Sequence, residues 1–329
     1  MSNKVEKPKC LPTQLVKKMR DEKGITFIYV SETDAATFLE VKNNYIRTAA
    51  YRKVYPKYTA GTNAGKYIGL DFGCLKELSI LDMHYRFLVE EMCSDIERAL
   101  CEKINKMIDN DQNTDGYEIV KNFLNANTDI VATISRASTS PHTGALIQKY
   151  FTVSLVPNSR RSGSYIQSIT AYDDCPAWVL TEVMTFGDII RFYYYYCNNY
   201  NVRSTESRGI LNTIRMLRNG AAHNNCLLSD LSSASSTPPT PLVNALMRFG
   251  TLTRTQINKK LCIRTVEEFV ALMYEYDRLV IDEVRKHRIE QLKDLFFTRF
   301  LEKKDFFVNN QSLVSTYEFC RKVIEGFFP

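Results

Sequence analysis

Residues 210–223 carry two periodic patterns on one short stretch, and together they dictate a helix with two unlike faces. Ile210, Ile214 and Leu217 recur at i, i+4 and i+7, the spacing of one buried stripe on an α-helix. At about 100° per residue, Arg215, Asn219 and His223 fall in a row on the opposite side, at i, i+4 and i+8. Arg218 lies off that row, between the polar stripe and the buried face. A chain built around such a helix must bury the apolar side against other elements. It then offers a cation, an amide and an imidazole to whatever meets the other side.

The string Arg218-Asn219-Gly220-Ala221-Ala222-His223 suits chemistry on a phosphodiester. An RNA chain cuts itself when a 2′-hydroxyl attacks the neighbouring phosphorus, which requires two proton transfers and a holder for extra negative charge. Histidine, with an unperturbed pKa of ~6.5, moves protons near neutral pH. A guanidinium is always charged and fork-shaped, so it fits the phosphate. Asn219 would orient the imidazole or a phosphate oxygen, and Arg215 competes with Arg218 for the phosphate. The plainer reading is a solvated polar face with structural hydrogen bonds. A second loose match, Arg136 to His142, contains Pro141 and cannot present both groups from one regular helix.

The 329 residues suffice for one large domain or two smaller ones. Nine cysteines are spread from Cys10 to Cys320 without the close pairs of a zinc or redox site, which predicts reduced thiols in a cytosolic protein. Only four histidines occur, so neither a histidine-based metal site nor a cofactor is expected. The Lys-rich start lacks an apolar run, and no stretch approaches the ~20 apolar residues of a membrane span.

Charge is unevenly placed. Residues 1–66 hold thirteen Lys or Arg against six Asp or Glu, a surplus larger than the net +6 of the whole chain. Tyrosines 45, 51, 55, 58 and 67 interleave with Arg47, Arg52, Lys53, Lys57 and Lys66. Cations neutralise phosphates and aromatic rings stack on unpaired bases, so the pattern reads as an RNA grip. The alternative is a solvated basic surface with the tyrosines in the core.

Helical signals dominate elsewhere. Residues 70–108 read as a long amphipathic helix or a helix pair, with Leu75, Leu78, Leu81, Phe87, Leu88, Ile96 and Leu100 as core candidates. Short helical pieces follow over 109–145. Alternating residues 150–156 and 165–169 flank a Pro157–Gly163 turn whose tip arginines are RNA-contact candidates, a β-hairpin signature. A helix over 177–199 contains four consecutive tyrosines, of which one or two must be buried. Ser229 to Pro241 reads as a Ser/Thr/Pro-rich loop. From Thr265, with Glu268 completing a capping box, a helix with breaks runs to about 303, and a last one covers 311–328.

Four stretches resemble the AbiD/AbiF-type abortive-infection proteins, a bacterial phage-defence family with a HEPN-type RNase domain. They are Pro12-Thr13-Gln14-Leu15 through Gly24; Asn44-Tyr45-Ile46-Arg47 to Tyr51; Leu81-Asp82 with Arg86, then Ile96-Glu97-Arg98-Ala99-Leu100; and Pro176-Ala177-Trp178 with Glu182 and Phe186-Gly187, ahead of Leu217-Arg218-Asn219 and His223. Cys101 stands where the family usually has an arginine, and Asn224 follows His223 where a second histidine is common.

The expected fold is therefore mainly α: a HEPN-like helical bundle with a basic N-terminal helical segment and a small β-hairpin insert. The expected division is a basic RNA-contacting segment over 1–68, a helical domain over 69–303 with an insert at about 109–175, and a C-terminal helix over 304–329. The resemblance implies a metal-independent endoribonuclease toxin, restrained by a small non-coding RNA. Arg218, Asn219 and His223 would be catalytic. Arg215, Arg47, Arg52, Lys53 and Tyr51 would contact RNA, supported by Asp82, Arg86 and Glu97. A single credible histidine argues for a homodimer that shares the site. The rival reading is a non-catalytic module that uses the Arg/His groove to hold a structured RNA.

Overall fold

The computed structural model describes residues 9–158, 161, 163–232 and 237–329. Ser159, Arg160 and Ser162 of the expected hairpin tip, 233–236 of the expected loop and 1–8 of the basic segment lie outside them. Among the described residues are fifteen α-helices, a few short 3₁₀ and π turns, and one two-stranded antiparallel sheet. The first helices are α1 (Pro12–Asp21), α2 (Glu32–Thr37), α3 (Tyr45–Ala50) and α4 (Phe72–Asp109). Next come α5 (Glu118–Ala126), α6 (Thr128–Ala137), α7 (Gly144–Tyr150), strands β1 (Thr152–Pro157) and β2 (Tyr165–Ala171), α8 (Ala177–Val183), α9 (Phe186–Asn199) and α10 (Arg208–Ala222). The chain continues through α11 (Thr240–Met247), α12 (Arg254–Leu261), α13 (Arg264–Leu279), α14 (Asp282–Phe297) and α15 (Gln311–Phe327). The fold is mainly helical with one small hairpin, as the sequence predicts. The chain divides into two compact units, 1–92 with 216–329 and, separately, 93–215.

In the first unit, α13 is buried over most of its circumference. Val266, Phe269, Val270, Ala271, Leu272, Met273 and Tyr276 are all buried, and α11, α12 and α15 pack on it. Each such side chain contributes roughly 1.5–3 kcal/mol when fully buried. The start of α4 is fixed by Asp71, whose carboxylate accepts the Gly73 N–H at 2.7 Å and the Ile28 N–H at 2.6 Å. Gly73 carries no side chain because a Cβ there would stand 2.6 Å from Tyr29 Cβ. One turn on, buried Glu77 accepts hydrogen bonds from Arg299 at 2.6 Å and Lys303 at 2.8 Å. Burial works against the Glu77 charge, yet these two donors hold its carboxyl below the usual carboxylate range.

In the second unit, α5 and α6 bury one face each, and Phe123 of α5 meets Phe192 and Tyr195 of α9 at 4.9 and 5.2 Å between ring centroids. The hairpin pairs Val153 with Ile169 through Pro157 with Tyr165. It is tied to α6 by the Ile169 N–H, which donates to Ser135 Oγ at 2.9 Å.

Three local expectations need correction. The helix over 177–199 is two, because Met184 is extended and Thr185 caps α9 with its hydroxyl oxygen. The capping box at Thr265 and Glu268 does not form. Extended Ile263 precedes α13, Thr265 sits inside the first turn, and Glu268 instead accepts from Arg264 at 2.8 Å. A capping box does form at Thr253 and Gln256, at the start of α12. Phe87 is not core: Tyr85, Leu88 and Val89 take the buried side of α4 and leave Phe87 55 % exposed. Of the four tyrosines, Tyr193 and Tyr196 are buried.

Candidate active site

The buried stripe of α10 contains Ile210, Leu211, Ile214, Leu217 and Ala221. It runs without a break into the last helical turn, so Arg218 and Asn219 are presented from regular helix and His223 from its cap. That turn closes by a recognisable device. Asn224 adopts φ 55°, the left-handed conformation that asparagine tolerates better than most residues. The Asn225 N–H reaches back to the Gly220 carbonyl at 2.9 Å, and the Asn224 N–H to Ala221 at 2.8 Å. This is a Schellman closure with His223 as the cap residue, its own N–H still bonded to Asn219 O at 3.0 Å. Asn224, which departs from the family's second histidine, is thus the residue that stops the helix.

Beyond the cap the chain is held at three further points. Arg47 of α3 donates to the Asn224 carbonyl through Nη2. Leu227 is buried and folds back over Gly220, where a Cβ would meet its Cδ2 at 3.3 Å. The Leu228 N–H donates to Asp82 Oδ1 at 2.7 Å. Asp82 is fully buried, and its other oxygen accepts from Arg86 and, at 2.9 Å, from the Tyr51 hydroxyl. Burial pushes the Asp82 carboxyl above the usual carboxylate range, against the pull of Leu228, Arg86 and Tyr51. Burial, reinforced by the Asp82 charge, likewise raises the Tyr51 hydroxyl, which keeps it protonated as a donor.

Of the functional groups, the His223 imidazole is the one left open. His223 and Asn219 are exposed and Arg218 is half-buried. Arg218 Nη1 approaches Asn219 Oδ1 at 3.5 Å, the outer limit of a hydrogen bond. The His223 imidazole has no hydrogen-bond or ion-pair partner among the described residues. A free imidazole, a guanidinium and an amide on a fixed backbone can exchange protons and hold a phosphate oxygen.

The other expected site residues separate into distinct roles. Tyr51 is 1 % exposed, so its ring has no face for a base, and the expected stacking contact is corrected to a positioning one. Arg47 likewise spends its guanidinium on the motif's backbone. Arg52 donates to Ala49 O at 2.9 Å and to the Tyr45 hydroxyl at 3.2 Å, and it lies 5.6 Å from the Tyr45 ring. Lys53 is exposed. Asp82 holds the Leu228 N–H beyond the motif, and Arg86 pairs with Asp82. In the second unit, Arg215 lies against Gly187, where a Cβ would come within 3.1 Å of its guanidinium, and its Nε is buried without a partner. That contact explains the glycine of the Phe186-Gly187 block. Glu97 is half-buried on α4, and burial followed by the Glu97 charge pushes the Cys101 thiol up to about 12. Arg136 ends α6 and His142 stands in the turn after it, so the second loose match shares no helix.

A family model described as Abi-like protein matches residues 38–229. The chain belongs to the Abi-like protein family. The matched region begins ahead of Arg47, takes in Asp82, Arg86 and the whole Arg218–His223 motif, and ends one residue after the Leu228 anchor. Membership suggests a part in abortive infection, a phage-defence response. No curated protein and no solved structure matches this Abi-like chain. Among the described residues no helix is long and apolar enough to cross a membrane.

Proposed function

We propose that this Abi-like protein is a metal-independent endoribonuclease of HEPN type, acting as a phage-defence toxin in the cytoplasm and restrained by a small non-coding RNA. The observation that carries the reading is the contrast at the end of α10. The backbone from Asn224 to Leu228 is pinned by Arg47 and a buried carboxylate, while the His223 imidazole is left unpartnered. Preorganised groups aimed at developing charge accelerate such reactions because they need no rearrangement at the moment of reaction.

In the proposed reaction His223 takes the proton from a 2′-hydroxyl, whose oxygen then bonds to the adjacent phosphorus. Arg218 holds the charge on the non-bridging oxygens, and Asn219 orients the imidazole. The phosphorus–5′-oxygen bond breaks, and that oxygen takes a proton. The products are a 2′,3′-cyclic phosphate and a 5′-hydroxyl. One histidine cannot conveniently give and take protons at both oxygens at once. A two-fold dimer would bring a second His223 and a second Arg218 to the same phosphate.

The test is to incubate purified chain with single-stranded RNA in excess EDTA and identify the ends. Cyclic phosphate termini support the reading, and cleavage that stops in EDTA contradicts it. RNA that is bound but never cut would favour the non-catalytic module. Mixing Arg218→Ala chains with His223→Ala chains addresses the dimer: regained activity supports a shared site, and a monomeric active species refutes it.

A further inference from the structure

A pocket of about 640 Å³ with a mixed polar and aromatic lining lies within 240–327, beyond the end of the family match, and the motif plays no part in it. Its volume falls in the range of ordinary ligand sites. The lining includes Arg248 at the end of α11, Tyr274, Asp277 and Arg278 on α13, Phe249, and Phe327 at the end of α15. Arg248 is exposed and has no hydrogen-bond or ion-pair partner among the described residues. Arg278 lies over the Tyr274 ring, 5.1 Å from its centroid, and its Nε stands 3.8 Å from a carboxylate oxygen of buried Glu275. The one acid in this set, Asp277, is already occupied: Arg285 donates to its carboxylate at 2.5 Å and to its carbonyl at 2.8 Å.

The apolar part of the pocket is aromatic. Phe249 meets Phe327 edge-on at 4.8 Å, and Phe327 meets Tyr274 at 6.4 Å. Gly326 makes this arrangement possible, since a Cβ there would stand 2.3 Å from the Phe249 ring. A pocket that offers two guanidiniums, a neutralised acid and half-buried aromatic rings matches one kind of ligand. It is a planar base joined to a phosphate, because rings and guanidinium planes stack on bases while the guanidinium fork takes phosphate oxygens.

We infer that this pocket, with Arg248 and Arg278 as phosphate ligands and the aromatic rings as the base platform, binds a single unpaired nucleotide. Two sources share that chemistry, a free nucleoside monophosphate and an unpaired position of a longer RNA. The inference does not depend on cleavage, so it is tested in a His223→Ala chain that leaves RNA intact.

The measurement is fluorescence anisotropy of a labelled eight-nucleotide oligoadenylate across a salt series, with adenosine monophosphate and inorganic phosphate as competitors. Arg248 is exposed, so Arg248→Ala keeps the fold; Arg278→Ala is the second variant. Each should weaken binding by about five- to ten-fold and flatten the log–log salt slope by roughly 0.7, as for one lost phosphate contact on a single strand. Competition by adenosine monophosphate assigns the site to free nucleotides, and oligonucleotide binding without it assigns the site to RNA. Unchanged affinity and slope in both variants, or inorganic phosphate competing as well as the nucleotide, would overturn the inference.

Discussion

The end of α10 and the basic segment over 45–67 look alike as strings of residues, each mixing cations with groups that bind nucleic acid. In the folded chain they differ in what is left unspent. At the end of α10 the supporting residues are consumed, on Asn224, Leu228 and Asp82, so that the His223 imidazole stays free. In the basic segment the candidates consume one another: Arg52 and Lys57 lie over the Tyr67 ring at 6.0 and 4.8 Å, and Tyr51 and Tyr55 are buried. A residue type in a suggestive pattern is a candidate only until its partners are counted. By that count Lys53 is the remaining exposed cation of the proposed trio, and Arg47 and Tyr51 belong to the motif's scaffold.

The largest expected effect comes from the carboxylate that joins the two regions. Asp82→Ala leaves Arg86 as an uncompensated buried cation and strips partners from Tyr51 and the Leu228 N–H. Breaking a buried pair in this way costs about 3–5 kcal/mol. A clear loss in denaturant midpoint is predicted, and a shift no larger than that of a surface control would mean Asp82 does not anchor the motif.

A smaller effect is expected at the helix stop. Asn224→Ala places a side chain that disfavours φ 55° at the closure, at a cost of roughly 1–2 kcal/mol. Asn224→Gly should be close to neutral in stability, since glycine is the commonest residue at that position. Equal behaviour of the two variants would show that the left-handed closure is not what ends α10.

The smallest effect sharpens the comparison on the binding side. Lys53→Ala should flatten the salt slope of RNA binding by roughly 0.7, whereas Tyr51→Phe should leave RNA affinity unchanged and cost about 1 kcal/mol or more of stability for a buried hydrogen bond. Weakened RNA binding with unaltered stability in Tyr51→Phe would restore the tyrosine to an RNA-contact role.

How much was legible in the sequence follows the range of the interactions. The leucine spacing of α4, the alternation of the hairpin and the motif helix are set by neighbours a few residues apart, and all three are found. Phe87 fits the same apolar count but falls on the wrong side of α4. The Thr265 box fits its template, yet the helix starts two residues earlier, after an extended Ile263. The anchors of the motif could not be read from local pattern at all. Asp82 to Leu228 spans 146 positions and Arg47 to Asn224 spans 177, so only folding brings them together. The resemblance placed Arg47, Asp82 and Arg86 among the residues of interest; their partners come from the structure.

The central claim is that the scaffold exists to hold one free imidazole in place for chemistry on RNA. Its most direct test is the single-turnover cleavage rate of His223→Ala against wild type, in EDTA, with thermal unfolding measured on the same samples. His223 is exposed and unpartnered, so the unfolding temperature should not move. The cleavage rate should fall by ~10²–10⁴, the contribution of a positioned general acid or base. Cleavage by the pure variant at the wild-type rate would contradict the account.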